Sequence, residues 1–105
     1  MAVVQLVLTM NAGAQALSTA SGAPEAPVRT VSMQPGTANT GPVYIGDANV
    51  STTAYGIRIP APVTNEPPAP VIWGETQSQH GHFKLSELYV RGSNNEKLHM
   101  LVTTI

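Results

Sequence analysis

Leu88-Tyr89-Val90-Arg91 and Lys97-Leu98-His99-Met100-Leu101-Val102-Thr103-Thr104 close the chain, joined by Gly92-Ser93-Asn94-Asn95-Glu96. In the second run Leu98, Met100 and Val102 share one side, because successive side chains of extended backbone point to opposite faces. A linker of this length rich in Gly and Asn predicts a hairpin with a bulge.

Working back from that end, short extended runs recur. Val28–Met33 alternates Arg29, Val31 and Met33 against Val28, Thr30 and Ser32. Val43–Ile45 ends at Gly46-Asp47, and Tyr55–Ile59 sets Tyr55, Ile57 and Ile59 against Gly56 and Arg58. Val71–Trp73 is a further run, Gln15–Ser18 a short one, and Leu85–Leu88 reads as a single turn. The first run, Ala2–Met10, sets Val4, Leu6, Leu8 and Met10 against Val3, Gln5, Val7 and Thr9. Both of its faces are largely apolar, which predicts a strand covered on both sides. Pro35-Gly36 and Asn39-Thr40-Gly41 supply turn chemistry. No window holds an apolar stripe of helical period. The pattern predicts an all-β fold with little or no helix: one antiparallel β-sandwich over residues 1–105, jelly-roll-like or immunoglobulin-like.

Composition narrows the function classes. The 105 residues suit one domain. Charged residues are 10% of the chain, against about 25% in ordinary soluble domains, so much of the surface is expected to meet other proteins. A net charge of −1 speaks against nucleic acid, which calls for a basic stripe. The chain has no cysteine, which excludes disulfides, thiolate metal sites and a cysteine nucleophile. No apolar run approaches the roughly 20 residues of a membrane span. Ala12–Ala16 looks like a leader cleavage site, but no Lys or Arg precedes Arg29, so a secretory leader is not expected.

Side chains with chemical potential are few. His80-Gly81-His82 would point two imidazoles the same way on a strand, with His99 as a third ligand. No carboxylate lies near in sequence to complete the set, so solvated histidines are the expectation and no metal or cofactor is assigned. Asp47 reads as a turn residue bonding local amides. There is no Gly-x-Ser-x-Gly elbow and no phosphate loop, so no enzyme is expected. Five of the nine prolines fall within Pro60–Pro70, at Pro60, Pro62, Pro67, Pro68 and Pro70, and predict an extended arm outside any central ladder. Partner contact is assigned to this arm, to Val4, Leu6 and Leu8 of the first strand, and to Trp73. Trp73, Tyr44, Tyr55 and Tyr89 are each read as either anchors or core fillers.

The order of motifs also carries a resemblance. Asn39-Thr40-Gly41-Pro42-Val43-Tyr44-Ile45-Gly46-Asp47 follows Val28–Met33, then Val50-Ser51-Thr52-Thr53 and Tyr55–Pro60, and later Leu85-Ser86-Glu87-Leu88-Tyr89-Val90-Arg91-Gly92-Ser93 before a closing strand. Over residues 28–104 this resembles a type of small tailed-bacteriophage structural protein of β-sandwich fold. The Pro-rich Ile59–Pro70 stands where that type often has a Pro-Gly-Glu turn. The resemblance implies a virion protein, with a capsid decoration (cement) protein as the first expectation. Its partners would be the major capsid protein or other virion proteins, with a homo-oligomer on the particle. It implies synthesis in the host cytoplasm and residence on the phage head. A head-fibre, neck or tail-associated protein, or a carbohydrate-binding module for the host surface, are the alternatives. The motifs belong to the scaffold, so no binding residue is carried over.

Overall fold

The computed structural model describes residues 3–63, 70–74 and 83–104. The β-branched and aliphatic runs form eight strands: β1 (Val3–Thr9), β2 (Gln15–Ala16), β3 (Val28–Pro35), β4 (Val43–Gly46), β5 (Ile57–Ile59), β6 (Val71–Gly74), β7 (Tyr89–Arg91) and β8 (Lys97–Thr104). The only helical pieces among the described residues are single 3-10 turns at Leu17–Thr19 and Leu85–Glu87. The strands make two antiparallel sheets, sheet A in the order β1-β8-β3-β6 and sheet B in the order β2-β7-β4-β5.

The pairings are nested. β1 pairs with β8, β2 with β7, β3 with β6 and β4 with β5, all antiparallel. That is one long double strand, folded at the β4–β5 turn and rolled until β3 meets β8 and β4 meets β7. Of the two expected windings, this is the jelly roll and not the immunoglobulin arrangement.

The core lies between the sheets and draws on both. Leu6, Leu8, Met10, Val31, Met33, Leu98, Met100 and Val102 enter from sheet A, and Val43, Ile45, Ile59 and Val90 from sheet B. Leu17 and Leu85, one from each 3-10 turn, close one end. Pro35 sits in β3 without cost to the ladder. Gly36 N–H and the Asn39 side chain meet the β3-facing backbone of Lys97, so by alternation the position opposite Leu98 needs no N–H toward β8.

Three sequence expectations are corrected. First, β7 and β8 are not a hairpin: they lie in different sheets, and Gly92–Glu96 carries the chain across the sandwich. The crossing is held by Met10, whose N–H donates to Glu96 O at 2.8 Å and whose carbonyl accepts from Asn95 N at 2.8 Å. Asn95 takes φ 68°, the left-handed region that Asn tolerates. Second, a register shift between Val28 and Thr30 breaks the alternation of β3, so Val28 and Val31 are both fully buried instead of opposed. The bulge is accommodated by Gly74 of β6, at φ 136°, where a Cβ would stand 2.1 Å from the Arg29 carbonyl oxygen. Third, β1 is covered on one face only: Leu6 and Leu8 are 3% and 2% exposed, while Val3 and Val7 are 64% and 45% exposed.

Candidate contact faces and a cleft

The burial of β1 redistributes its assigned contacts. Leu6 and Leu8 are core residues and offer nothing to a partner, and Val4 is half-buried against the same core. The surface of β1 is its other face, Val3, Gln5, Val7 and Thr9. β1 is also an edge strand, with no described strand on its far side. Because Met10 directs its backbone toward β8, alternation turns the N–H and C=O groups of Val3, Gln5, Val7 and Thr9 to the open edge. This edge has none of the usual protections of charge, proline or bulge.

Register extends that surface across the whole of sheet A. One row runs Gln5–Leu101–Ser32–Ile72, flanked by Val3–Thr103–Thr30–Gly74 and Val7–His99–Gln34. Leu101 is 49% and Ile72 69% exposed. The three rows contain no Lys, Arg, Asp or Glu. Lys97 stands at the corner beyond them, its Nζ donating to Thr9 Oγ1 at 2.6 Å. Trp73 pairs with Val31 on the inner side of β6 yet stays 44% exposed, because β6 ends the sheet opposite β1 and no described strand lies beyond it.

The proline arm is only partly described. Pro60 and Pro70 are exposed and Pro62 is half-buried, whereas Pro67 and Pro68 lie outside the described residues. His80 and His82 also lie outside them. His99 sits on the outer face of sheet A between Val7 and Gln34. Among the described residues no three His, Cys, Asp or Glu side chains converge as metal ligands.

Sheet B turns a different face outward. Arg91, Tyr44 and Arg58 form one row across β7, β4 and β5, in register as direct partners. Tyr55 leans on Tyr44 with ring centroids 5.0 Å apart and planes at 50°. Tyr89 is the next outward residue of β7. Val43 and Ile45 point inward, so alternation alone forces Tyr44 out.

Beside Tyr44 lies a cleft of about 280 Å³ lined by Ala12, Pro42, Tyr44, Thr52, Arg91, Gly92 and Ser93. Its walls are tied turns. Asn11 N–H bonds Gln15 Oε1 and Gly13 N–H bonds Asn11 Oδ1, both at 2.9 Å. Ser51 Oγ takes the Ala54 N–H at 3.0 Å, and Ser51 N–H donates to Ala54 O at 2.8 Å. Glu96 pins the remaining wall: its carboxylate accepts from Thr40 N–H, Thr40 Oγ1 and Gly41 N–H. Desolvation raises the Glu96 pKa, but these bonds and one from Ser93 outweigh it and hold the group below its ordinary value. A larger cleft, about 410 Å³, lies near Ser18, Pro24, Glu25 and Lys84 and carries both signs of charge.

Sequence reasoning missed Ile72, Leu101 and the Arg91–Tyr44–Arg58 row. Alternation marks each of them as outward, but only the strand register brings them together. Comparison with protein-family models, with curated proteins and with solved structures gives no match.

Proposed function

We propose that this chain is a structural protein of a tailed-bacteriophage virion, most simply a decoration or cement protein that binds the assembled head lattice. The observation that carries the reading is the outer face of sheet A, whose three central rows hold no Lys, Arg, Asp or Glu and expose Val3, Val7, Leu101 and Ile72 beside an unprotected strand edge. Water solvates such a face poorly, and contiguous apolar surface of this kind marks contact sites. The motif order over residues 28–104 supports a phage origin. The jelly roll supports the same reading only by analogy, since that winding recurs in viral capsid domains but also in lectins and cupins.

In this reading sheet A lies on the lattice. Burial of its apolar side chains contributes about 25 cal/mol per Å² removed from water. The β1 edge adds main-chain hydrogen bonds to a neighbouring strand, and Trp73 anchors the opposite edge. Partner contact by the Pro60–Pro70 segment, assigned from its proline content, would lose less entropy than contact by a flexible loop, because proline fixes φ. A protein that binds only the mature lattice stabilises it by mass action.

The test is retention on purified particles. Ile72→Lys with Leu101→Lys leaves a folded domain by melting curve and abolishes retention. Full retention of that folded double variant refutes the docking face. A copy number matching the lattice marks a decoration protein; one matching a single vertex, neck or fibre places the chain there instead.

A further inference from the structure

We propose that the cleft on the outer face of sheet B is a binding site for a carboxylate-bearing sugar, one uronic-acid residue of an anionic polysaccharide. The site lies on the sheet opposite the proposed docking face, so it stands independently of the virion reading.

The chemistry follows from the lining. A cleft of about 280 Å³ falls just below the range of drug-sized ligand sites, about 300–1,000 Å³, and suits one sugar ring. Tyr44 forms part of its wall and is braced by Tyr55. The weakly positive C–H groups of a pyranose rest favourably on the negative face of such a ring. Arg91 lines the same cleft as the direct cross-strand partner of Tyr44. No described residue forms an ion pair or hydrogen bond with its guanidinium or with that of Arg58. A half-buried guanidinium offers a carboxylate two parallel charge-assisted hydrogen bonds.

Hydroxyl groups complete the set. Ser93 donates its proton to Glu96, so its oxygen is left to accept from a sugar hydroxyl. Thr52, a second hydroxyl-bearing residue, also lines the cleft. Arg58, on the far side of Tyr44, is placed for the carboxylate of the next residue along the polymer. The turns holding Ala12, Thr52 and Ser93 are internally hydrogen-bonded, so binding orders little that is not already ordered.

The experiment is native electrophoresis of the whole protein in gels containing polygalacturonate, neutral galactan, polyglutamate or single-stranded DNA. Retardation by polygalacturonate alone is expected. Arg91→Gln weakens it about tenfold or more, the scale of a lost charged hydrogen bond. Tyr44→Ser also weakens it, with melting curves confirming that both variants fold. Lys97→Gln, on the other face, leaves it unchanged. Four results overturn the proposal: no retardation; equal retardation by galactan; equal retardation by polyglutamate or DNA, which would make the face a reader of charge or of another polymer; or a folded Arg91→Gln variant that binds as the parent does.

Discussion

On sheet A the row Gln5–Leu101–Ser32–Ile72 crosses four strands without a charge, whereas on sheet B the row Arg91–Tyr44–Arg58 crosses three strands and carries two. The inner sides of the two sheets are alike, both built from Val, Leu, Ile and Met. The outer sides differ because water tests them differently. Guanidinium groups and tyrosine hydroxyls keep sheet B solvated by itself. Ile72 and Leu101 gain nothing from water, so sheet A has the larger incentive to be covered. A sandwich has two outward faces to dispose of, and here the three central rows of sheet A carry no charge, Lys97 standing only at their corner.

The contrast is sharpest within one strand. Leu8→Ala should cost about 3 kcal/mol by urea unfolding, as a cavity in a close-packed core does. Its neighbour Val7→Ala should cost under about 0.5 kcal/mol. Equal losses would mean that β1 has no outer face. Gly74→Ala comes next, at about 2 kcal/mol, because φ 136° and the Arg29 carbonyl leave no place for a Cβ. It should loosen the β6 edge of sheet A and leave the fluorescence of the Tyr44–Tyr55 pair on sheet B unaltered.

Glu96→Gln should cost about 1 kcal/mol at neutral pH through its lost hydrogen bonds. The sign with pH follows from the lowered pKa of Glu96. Its contribution is fully present above the ordinary value of 4.5 and is lost as pH falls through the lower folded-state value. Melting curves of parent and variant should therefore converge on acidification below about pH 4.5, whereas a constant gap would mean that the carboxylate charge is not what holds this wall. The smallest effects belong to the faces themselves: Leu101→Ser and Arg58→Gln should each change stability by under about 0.5 kcal/mol. They should part in retention on purified particles, where only Leu101→Ser reduces the bound amount. An equal response would erase the distinction between the faces.

Much of the core was legible because strand periodicity is local. Leu98, Met100 and Val102 alternate with mostly polar neighbours, hence their burial follows from spacing. Leu6, Leu8 and Met10 share a face by the same rule, but the other face of β1 is apolar too, so spacing did not say which one is buried. Val28 was not legible. The bulge that turns it inward depends on a glycine in a distant strand, and nothing in Val28–Met33 announces it. The Gly92–Glu96 linker was misread for a related reason. A connection between two sheets and a hairpin turn use the same residue types, and alternation is the same whichever sheet receives the strand. The candidate cleft was half legible: Tyr44 had to face outward, but its neighbours Arg91 and Arg58 are set by register.

By itself the sequence determined the class: short alternating runs, breakers between them and no helical stripe leave only β-sheets with an apolar inner side. It also determined which residues of most strands share a face, because that depends on a two-residue period and on nothing farther away. Only the tertiary structure decided which strands are neighbours, which of the two apolar faces of β1 is buried, and that the closing runs belong to opposite sheets. These are pairings between distant segments, chosen by the packing of the whole core and by single contacts such as Met10 with Asn95 and Glu96. A local pattern satisfies many such pairings equally, and the buried core selects one.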